Sequence, residues 1–89
     1  MKQFPNLFNM KKALDFILTS LVDNPDKLEI EEREENGVVT FTINAADEDM
    51  GKIIGKGGKV IKSIRNVIKI PAIKENRKIF VNLAEQPQN

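Results

Sequence analysis

The chain has 89 residues, a formal net charge of +1, and no cysteine, histidine, tyrosine or tryptophan. At this length it forms one small domain that buries about 60–65% of its unfolded surface, with no room for a second core. Without cysteine there is no disulfide or thiolate zinc site, and without histidine the usual general base and commonest metal ligand are missing, so the composition argues against an enzyme and implies no cofactor.

Residues 1–9 read as an apolar lead-in carrying Phe4, Leu7 and Phe8. Met10, Ala13, Leu14, Ile17, Leu18, Leu21 and Val22 then recur at helical spacing and predict an amphipathic helix. Asn9 suits its N-cap, and Asp23-Asn24-Pro25 suits its end. Phe16 lies to one side of the apolar stripe. Lys27-Leu28-Glu29-Ile30-Glu31 alternates like a strand and runs into Glu32-Arg33-Glu34-Glu35, a segment too polar for both faces to be buried, as at a sheet edge. Asn36-Gly37 signals a two-residue hairpin. The return strand, Val38 to Ile43, sets Val39, Phe41 and Ile43 on one face.

Asn44-Ala45-Ala46-Asp47 reads as a helix cap with an acid three residues on. Asp47, Glu48 and Asp49 then fill a first turn, where the helix dipole favours them. This short helix has Met50, Ile53 and Ile54 as its apolar face, and Gly55 stops it. A second stripe, Val60, Ile61, Ile64, Val67 and Ile68, follows the glycines, and Pro71 ends that helix. After a loop from Pro71 to Asn76 comes a last strand, Lys78 to Ala84. It places Ile79, Val81 and Leu83 on one face and Phe80 on the other. Residues 85–89 are a polar tail. The order is α-β-β-α-α-β: an α+β domain with one three-stranded sheet and its helices packed on one face.

Charge is divided along the chain. Residues 1–50 carry five Lys/Arg against eleven Asp/Glu, and residues 51–89 carry nine against two, so −6 precedes +7. Such a basic half suits a polyanion, and the two halves also attract each other within one fold. No apolar run approaches the roughly 20 residues that span a bilayer. Residues 1–6 lack the apolar core of a secretory signal. Together these features predict a cytoplasmic protein without a membrane partner.

The chemistry concentrates in Ile53-Ile54-Gly55-Lys56-Gly57-Gly58-Lys59-Val60-Ile61, with three glycines in four positions. Glycine permits positive φ and lets another backbone approach closely. The helix that follows turns its free N–H groups toward the loop, which favours an anion. The bland alternative is a tight turn between two helices. Other phosphate motifs fit poorly. Gly51 to Lys56 has one residue too few for a P-loop, and Gly57 stands where the hydroxyl is needed. A dinucleotide fingerprint fails on its spacing.

This loop, with Ile-Ile before it, Val-Ile after it, and a short and a long helix on either side, resembles the KH domain. One helix and one strand ahead of the β-α-α-β core correspond to the type II order. Leu21 to Pro25, the acidic Glu31-Glu32-Arg33-Glu34 and the Ile-Ile-Gly-Lys-Gly-Gly run resemble the small bacterial KhpA (YlqC) family from about Met10 to Leu83. Residues 1–9 depart from that pattern. The resemblance implies a lead-in at 1–9, a single KH domain at 10–84 and a tail at 85–89. It also implies an RNA-binding protein, a post-transcriptional regulator or RNA chaperone, that forms homodimers and pairs with a larger KH protein of the KhpB/Jag type. In KH domains such a loop clamps the backbone of about four nucleotides.

On this reading Gly55, Lys56, Gly57 and Gly58 form the clamp, and backbone N–H groups near Gly58 and Lys59 meet a phosphate. Lys52, Lys59, Lys62 and Arg65 supply the salt-dependent attraction, with Lys69 further along the same arc. Ile54 and Ile61 line an apolar groove for the bases, although core packing competes for every isoleucine. The alternative is a protein-interaction module, a KH-fold dimerisation partner whose RNA binding is incidental. Phe4, Leu7, Phe8 and Phe16 are its contact candidates, against a role in covering the domain's own core.

Overall fold

The computed structural model describes residues 7–74 and 78–84, with side chains for 10–69 and 78–84. The chain forms α1 (Leu7–Leu21), a 3-10 turn (Pro25–Lys27), β1 (Glu29–Glu35), β2 (Val38–Asn44), α2 (Asp47–Ile54), a second 3-10 turn (Lys56–Gly58), α3 (Lys59–Lys74) and β3 (Lys78–Leu83). The α-β-β-α-α-β order is the one read from the sequence. The sheet runs β1-β2-β3, with β1 antiparallel and β3 parallel to the central β2. A tight hairpin makes the first pairing, and the α2–α3 pair supplies the crossover that a parallel pairing needs.

Sequence pattern and burial agree best in the sheet. Asn36 and Gly37 both take positive φ, 51° and 78°, as a type I′ turn requires. That turn pairs Glu35 with Val38 and fixes the register down to Glu29 opposite Asn44. Val39, Phe41 and Ile43 are consequently all buried on one face of β2. Met10, Leu14, Leu18 and Val22 cover them from α1, with Met50 and Ile53 from α2 and Ile61, Ile64 and Ile68 from α3. Full burial of one such side chain contributes about 1.5–3 kcal/mol. Val81 adds the contribution of β3, while Phe80 on the opposite face is half exposed.

Several local expectations are corrected. Helix α1 begins at Leu7, so Asn9 lies inside it rather than capping it. Ala13 is exposed, since the buried row advances four residues at a time from Met10. Lys27 belongs to the 3-10 turn started by Pro25, and β1 begins at Glu29. Asn44 stays at the end of β2, and the residue at the α2 N-cap is Ala46, with no side-chain cap bond. Helix α3 passes through Pro71 to Lys74. A proline's φ is helical; it removes one N–H and crowds the carbonyl four residues back, so one more turn can follow. Phe4, the side chains of Leu7 and Phe8, and the tail at 85–89 lie outside the described residues.

The first turn of α2 is tied to the end of α1 by Asp49, whose side chain has no exposed surface. Its Oδ1 accepts the Asp23 N–H at 3.0 Å, and its Oδ2 accepts the Asn24 N–H at 2.9 Å and Asn24 Nδ2 at 3.1 Å. These backbone donors lie just past α1. The Lys52 ammonium is 3.9 Å from Asp49 and also bonds Asp23. The Asp23 N–H, then Asn24 and Lys52, hold the Asp49 carboxyl below its ordinary value of 3.8, against the effect of burial. The Asp23 carboxylate, chiefly by its hydrogen bond, raises Lys52 above 10.5.

A carboxyl with a lowered folded pKa stabilises the fold fully above 3.8, and that contribution is lost as pH falls through the lower folded value. Asp49→Asn keeps the shape but turns an NH2 toward the donors. It should lower the melting temperature at pH 7 by roughly 5–15 °C and flatten the fall in stability below pH 4. Thermal melts of both proteins from pH 7 to pH 2 check this. Equal melting at pH 7 would remove the carboxylate from its structural role.

Candidate nucleic-acid interface

Helix α2 ends where Gly55 takes φ 77° and ψ 171°, a region open essentially to glycine alone. The Gly55 N–H still bonds the Gly51 carbonyl at 2.9 Å, so the turn starts from an intact helix. A Cβ on Gly55 would stand 2.3 Å from Val60 Cγ2 and 2.8 Å from Val60 N. The first turn of α3 is therefore folded against the bare α-carbon of Gly55, and the missing side chain sets how closely α2 and α3 join. Gly57 and Gly58 also have positive φ, but a Cβ on either would meet nothing within 4 Å. These two glycines leave a bare, open rim.

Two N–H groups that the sequence reading turned toward a phosphate are already used. Gly58 N–H bonds the Gly55 carbonyl at 3.1 Å, and Lys59 N–H bonds the carbonyl of Lys56. The tight 3-10 turn consumes them. The other groups the sequence points to for an anion are the cationic side chains around the rim.

Those side chains separate into two groups. Lys56, Lys59 and Lys62 are exposed and make no ion pair with a described residue. They follow the turn and the first turn of α3. Lys52 lies on the other flank of α2, with its ammonium held by Asp23 and Asp49. Arg65 reaches the sheet, where its Nε donates to the Val81 carbonyl at 2.8 Å. Ala84 N–H bonds inward to Ile43, so by strand alternation Ile79, Val81 and Leu83 turn their backbone groups to the outer edge of β3. Arg65 thus ties α3 to that edge. Lys69 is exposed further along α3. Of the two isoleucines, Ile54 is 37% exposed beside the loop and Ile61 is 6% exposed within the core.

A second surface lies between α1 and α3. A groove of about 440 Å³ is lined by Ile17, Leu21, Lys59, Val60, Ser63, Ile64 and Val67. Val67 is half exposed, and Phe16, next to Ile17 on α1, is 73% exposed. Phe16 therefore does not cover the core. Among the described residues no group of carboxylates is arranged to hold a metal ion, and no helix is long and apolar enough to cross a membrane.

A family model described as KhpA/KhpB, KH domain matches residues 11–83. The chain belongs to this family. It is 43% identical over 74 residues to the RNA-binding protein KhpA of Clostridium acetobutylicum, covering 83% of this chain and 99% of that one. The protein of the same name from Clostridium perfringens is 40% identical with the same coverage. That of Chlamydia trachomatis is 34% identical over 77 residues, 86% of this chain and 99% of its own. The KH fold accounts for the mixed sheet and for the two helices joined at the glycines. The sequence reading overlooked the Asp49 bonds to Asp23 and Asn24. The partners of Asp49 lie 25 and 26 residues away, so no local pattern points to them.

The glycines of this KH loop should respond unequally to a methyl group. Gly55→Ala meets both the forbidden backbone region and the backbone of Val60. It should lower the melting temperature by roughly 10 °C or more, with Gly57→Ala costing less than half as much. Parallel melts of the two variants decide this. Equal losses would mean that contact with Val60 does not set the turn.

Proposed function

We propose that this chain binds single-stranded RNA, with the loop Gly55–Lys56–Gly57–Gly58 holding the phosphate backbone and bases lying against the adjoining apolar surface at Ile54. The observation that carries this reading is the open glycine rim with Lys56, Lys59 and Lys62 exposed around it. Bare backbone lets a phosphodiester approach closely, and free ammonium groups release its counterions. The relatives named RNA-binding protein KhpA support RNA as the polyanion. Arg65 keeps guanidinium donors beyond its Nε for the same ligand, at the edge of β3. Lys52 acts one step removed, by holding α2 in place. Ile61 supports the groove from the core. The chain works as a binder rather than an enzyme, in the cytoplasm, as a regulator or chaperone of RNA.

One loop that grips about four nucleotides gives modest affinity, and pairing two loops raises it through effective concentration. We infer that a second copy of this chain covers the face between α1 and α3. The apolar groove lined by Ile17, Leu21 and Val67 and the exposed ring of Phe16, further round α1, are the apolar surfaces that support this reading. A KH protein of the KhpB/Jag type would compete for the same face.

Fluorescence anisotropy with a short single-stranded RNA across a salt series tests the clamp. Three lysines on a single strand predict a log–log slope near −2, about 0.7 for each phosphate. Lys56→Asp with Gly57→Asp should abolish binding while leaving circular dichroism intact. Gly57 faces open space at φ 64°, a conformation aspartate tolerates better than most residues. Equal binding by both proteins would remove the loop from the site. Phe16→Glu with Val67→Glu should convert a dimer to a monomer in sedimentation and keep the loop intact. An unchanged sedimentation coefficient would place the partner elsewhere.

A further inference from the structure

Lys52 and Lys56 stand four residues apart in sequence and meet opposite conditions. The Lys52 ammonium is held by Asp23 and Asp49, and the hydrogen bond to Asp23 above all raises it from its ordinary 10.5. Only an unprotonated amine is a nucleophile, so Lys52 is a poor one. Lys56 is exposed and makes no ion pair with a described residue. Glycine stands on both sides of it, and a Cβ on Gly57 or Gly58 would meet nothing within 4 Å. A reagent can therefore come up to Lys56 over bare backbone.

Two further cations are set beside it. The Lys59 N–H bonds the Lys56 carbonyl across Gly57 and Gly58, both at positive φ. A turn closed in this way brings its two end α-carbons to within about 7 Å. Lys62 neighbours Lys59 one turn along α3. No Asp or Glu occurs from Gly51 to Lys74. Lys27 is the matched contrast. It too is exposed in a 3-10 turn, but Asp26 precedes it and Glu29 follows two residues on. A small anion is thus drawn to the surroundings of Lys56 and repelled by those of Lys27.

We propose that Lys56 is an acylation site whose donor is an acyl phosphate, with Lys59 and Lys62 holding the phosphate while the carbonyl meets the Lys56 amine. Holding the donor beside the amine speeds the reaction by proximity. The amine nitrogen bonds the acyl carbon, and the bond from that carbon to the phosphate oxygen breaks. Inorganic phosphate leaves with the electron pair and takes up the proton that the nitrogen sheds. Lys56 becomes a neutral amide, and the rim loses one of its three free cations. This rests on the anion site of the RNA reading and makes its affinity adjustable.

The full chain is incubated with acetyl phosphate and, separately, with the uncharged N-hydroxysuccinimide ester of acetic acid. Peptide mass spectrometry follows acetylation at each lysine. With acetyl phosphate, Lys56 should react severalfold faster than Lys27, and Lys52 slowest of the three. In the Lys59→Gln/Lys62→Gln variant the Lys56 rate with acetyl phosphate should fall to that of Lys27, while its rate with the uncharged ester changes far less. A Lys56 rate with acetyl phosphate that equals that of Lys27, or that survives loss of both lysines, would overturn the proposal, even in a protein that binds RNA. Lys56→Gln, which carries a neutral amide in place of the ammonium, should bind single-stranded RNA more weakly, with its log–log salt slope reduced by about 0.7. A wild-type slope in that variant would overturn the control of affinity by acylation. Fast acetylation of Lys56 that depends on Lys59 and Lys62, in a wild type that binds no RNA, would remove the RNA reading and leave the acylation site standing.

Discussion

Asp49 is a carboxylate with no exposed surface in a domain of 89 residues, and its neighbours explain how it can stay there. Burying a carboxylate is unfavourable unless hydrogen bonds replace the lost water. Here they come from the Asp23 and Asn24 N–H groups and the Asn24 amide, all beyond the end of α1. The donors lie 25 and 26 residues away in sequence, so the bonds form only when α1 and α2 are placed together. Lys52, one turn along α2, closes the arrangement by bonding Asp23. One end of α2 is thus fixed by charge and hydrogen bonds, and Met50 and Ile53 fix its inner face by burial.

With α2 so held, the position of the glycine loop follows. Gly55 terminates the helix, and the close approach of Val60 to its α-carbon sets the start of α3. Arg65 then secures α3 to the edge of β3 through Val81. The loop is suspended between two anchored helices, so its open rim can remain bare without becoming slack. Using Lys52 for the frame leaves fewer cations at the rim than the lysine count suggests.

How legible each part was in the sequence depended on the range of the interaction behind it. The β2 pattern and Asn36-Gly37 were readable because alternation and turn chemistry act within a few residues. The Ile-Ile-Gly-Lys-Gly-Gly run was readable because positive φ asks for glycine locally. Lys52 stands beside the loop in sequence and reads as another phosphate ligand; its ion pairs with Asp23 and Asp49 were not legible, because Asp23 lies 29 residues away. Asn44 read as a cap because its side chain suits one, yet pairing with β1 keeps it in the strand. Pro71 read as a stop, although the lost N–H removes a single bond.

The divided charge gains a spatial meaning from the sheet order. The acids of β1 occupy one outer strand, and α3 packs against β3, the strand at the other edge. Glu32 and Glu34 lie opposite Phe41 and Val39, on the buried side of the sheet, yet both are exposed because the helices leave that end of β1 uncovered. A row of glutamates on such an edge discourages another strand from pairing with it. It also repels a polyanion. Strands are about 4.8 Å apart, so β1 and β3 stand roughly 10 Å from one another, beyond the screening length of about 8 Å at physiological salt. The acids of β1 and the cations of α3, which packs on β3, are therefore largely screened from one another. A chain of nearly zero net charge thus keeps two regions of opposite sign, the acids of β1 at one edge of the sheet and the lysines of α3 toward the other.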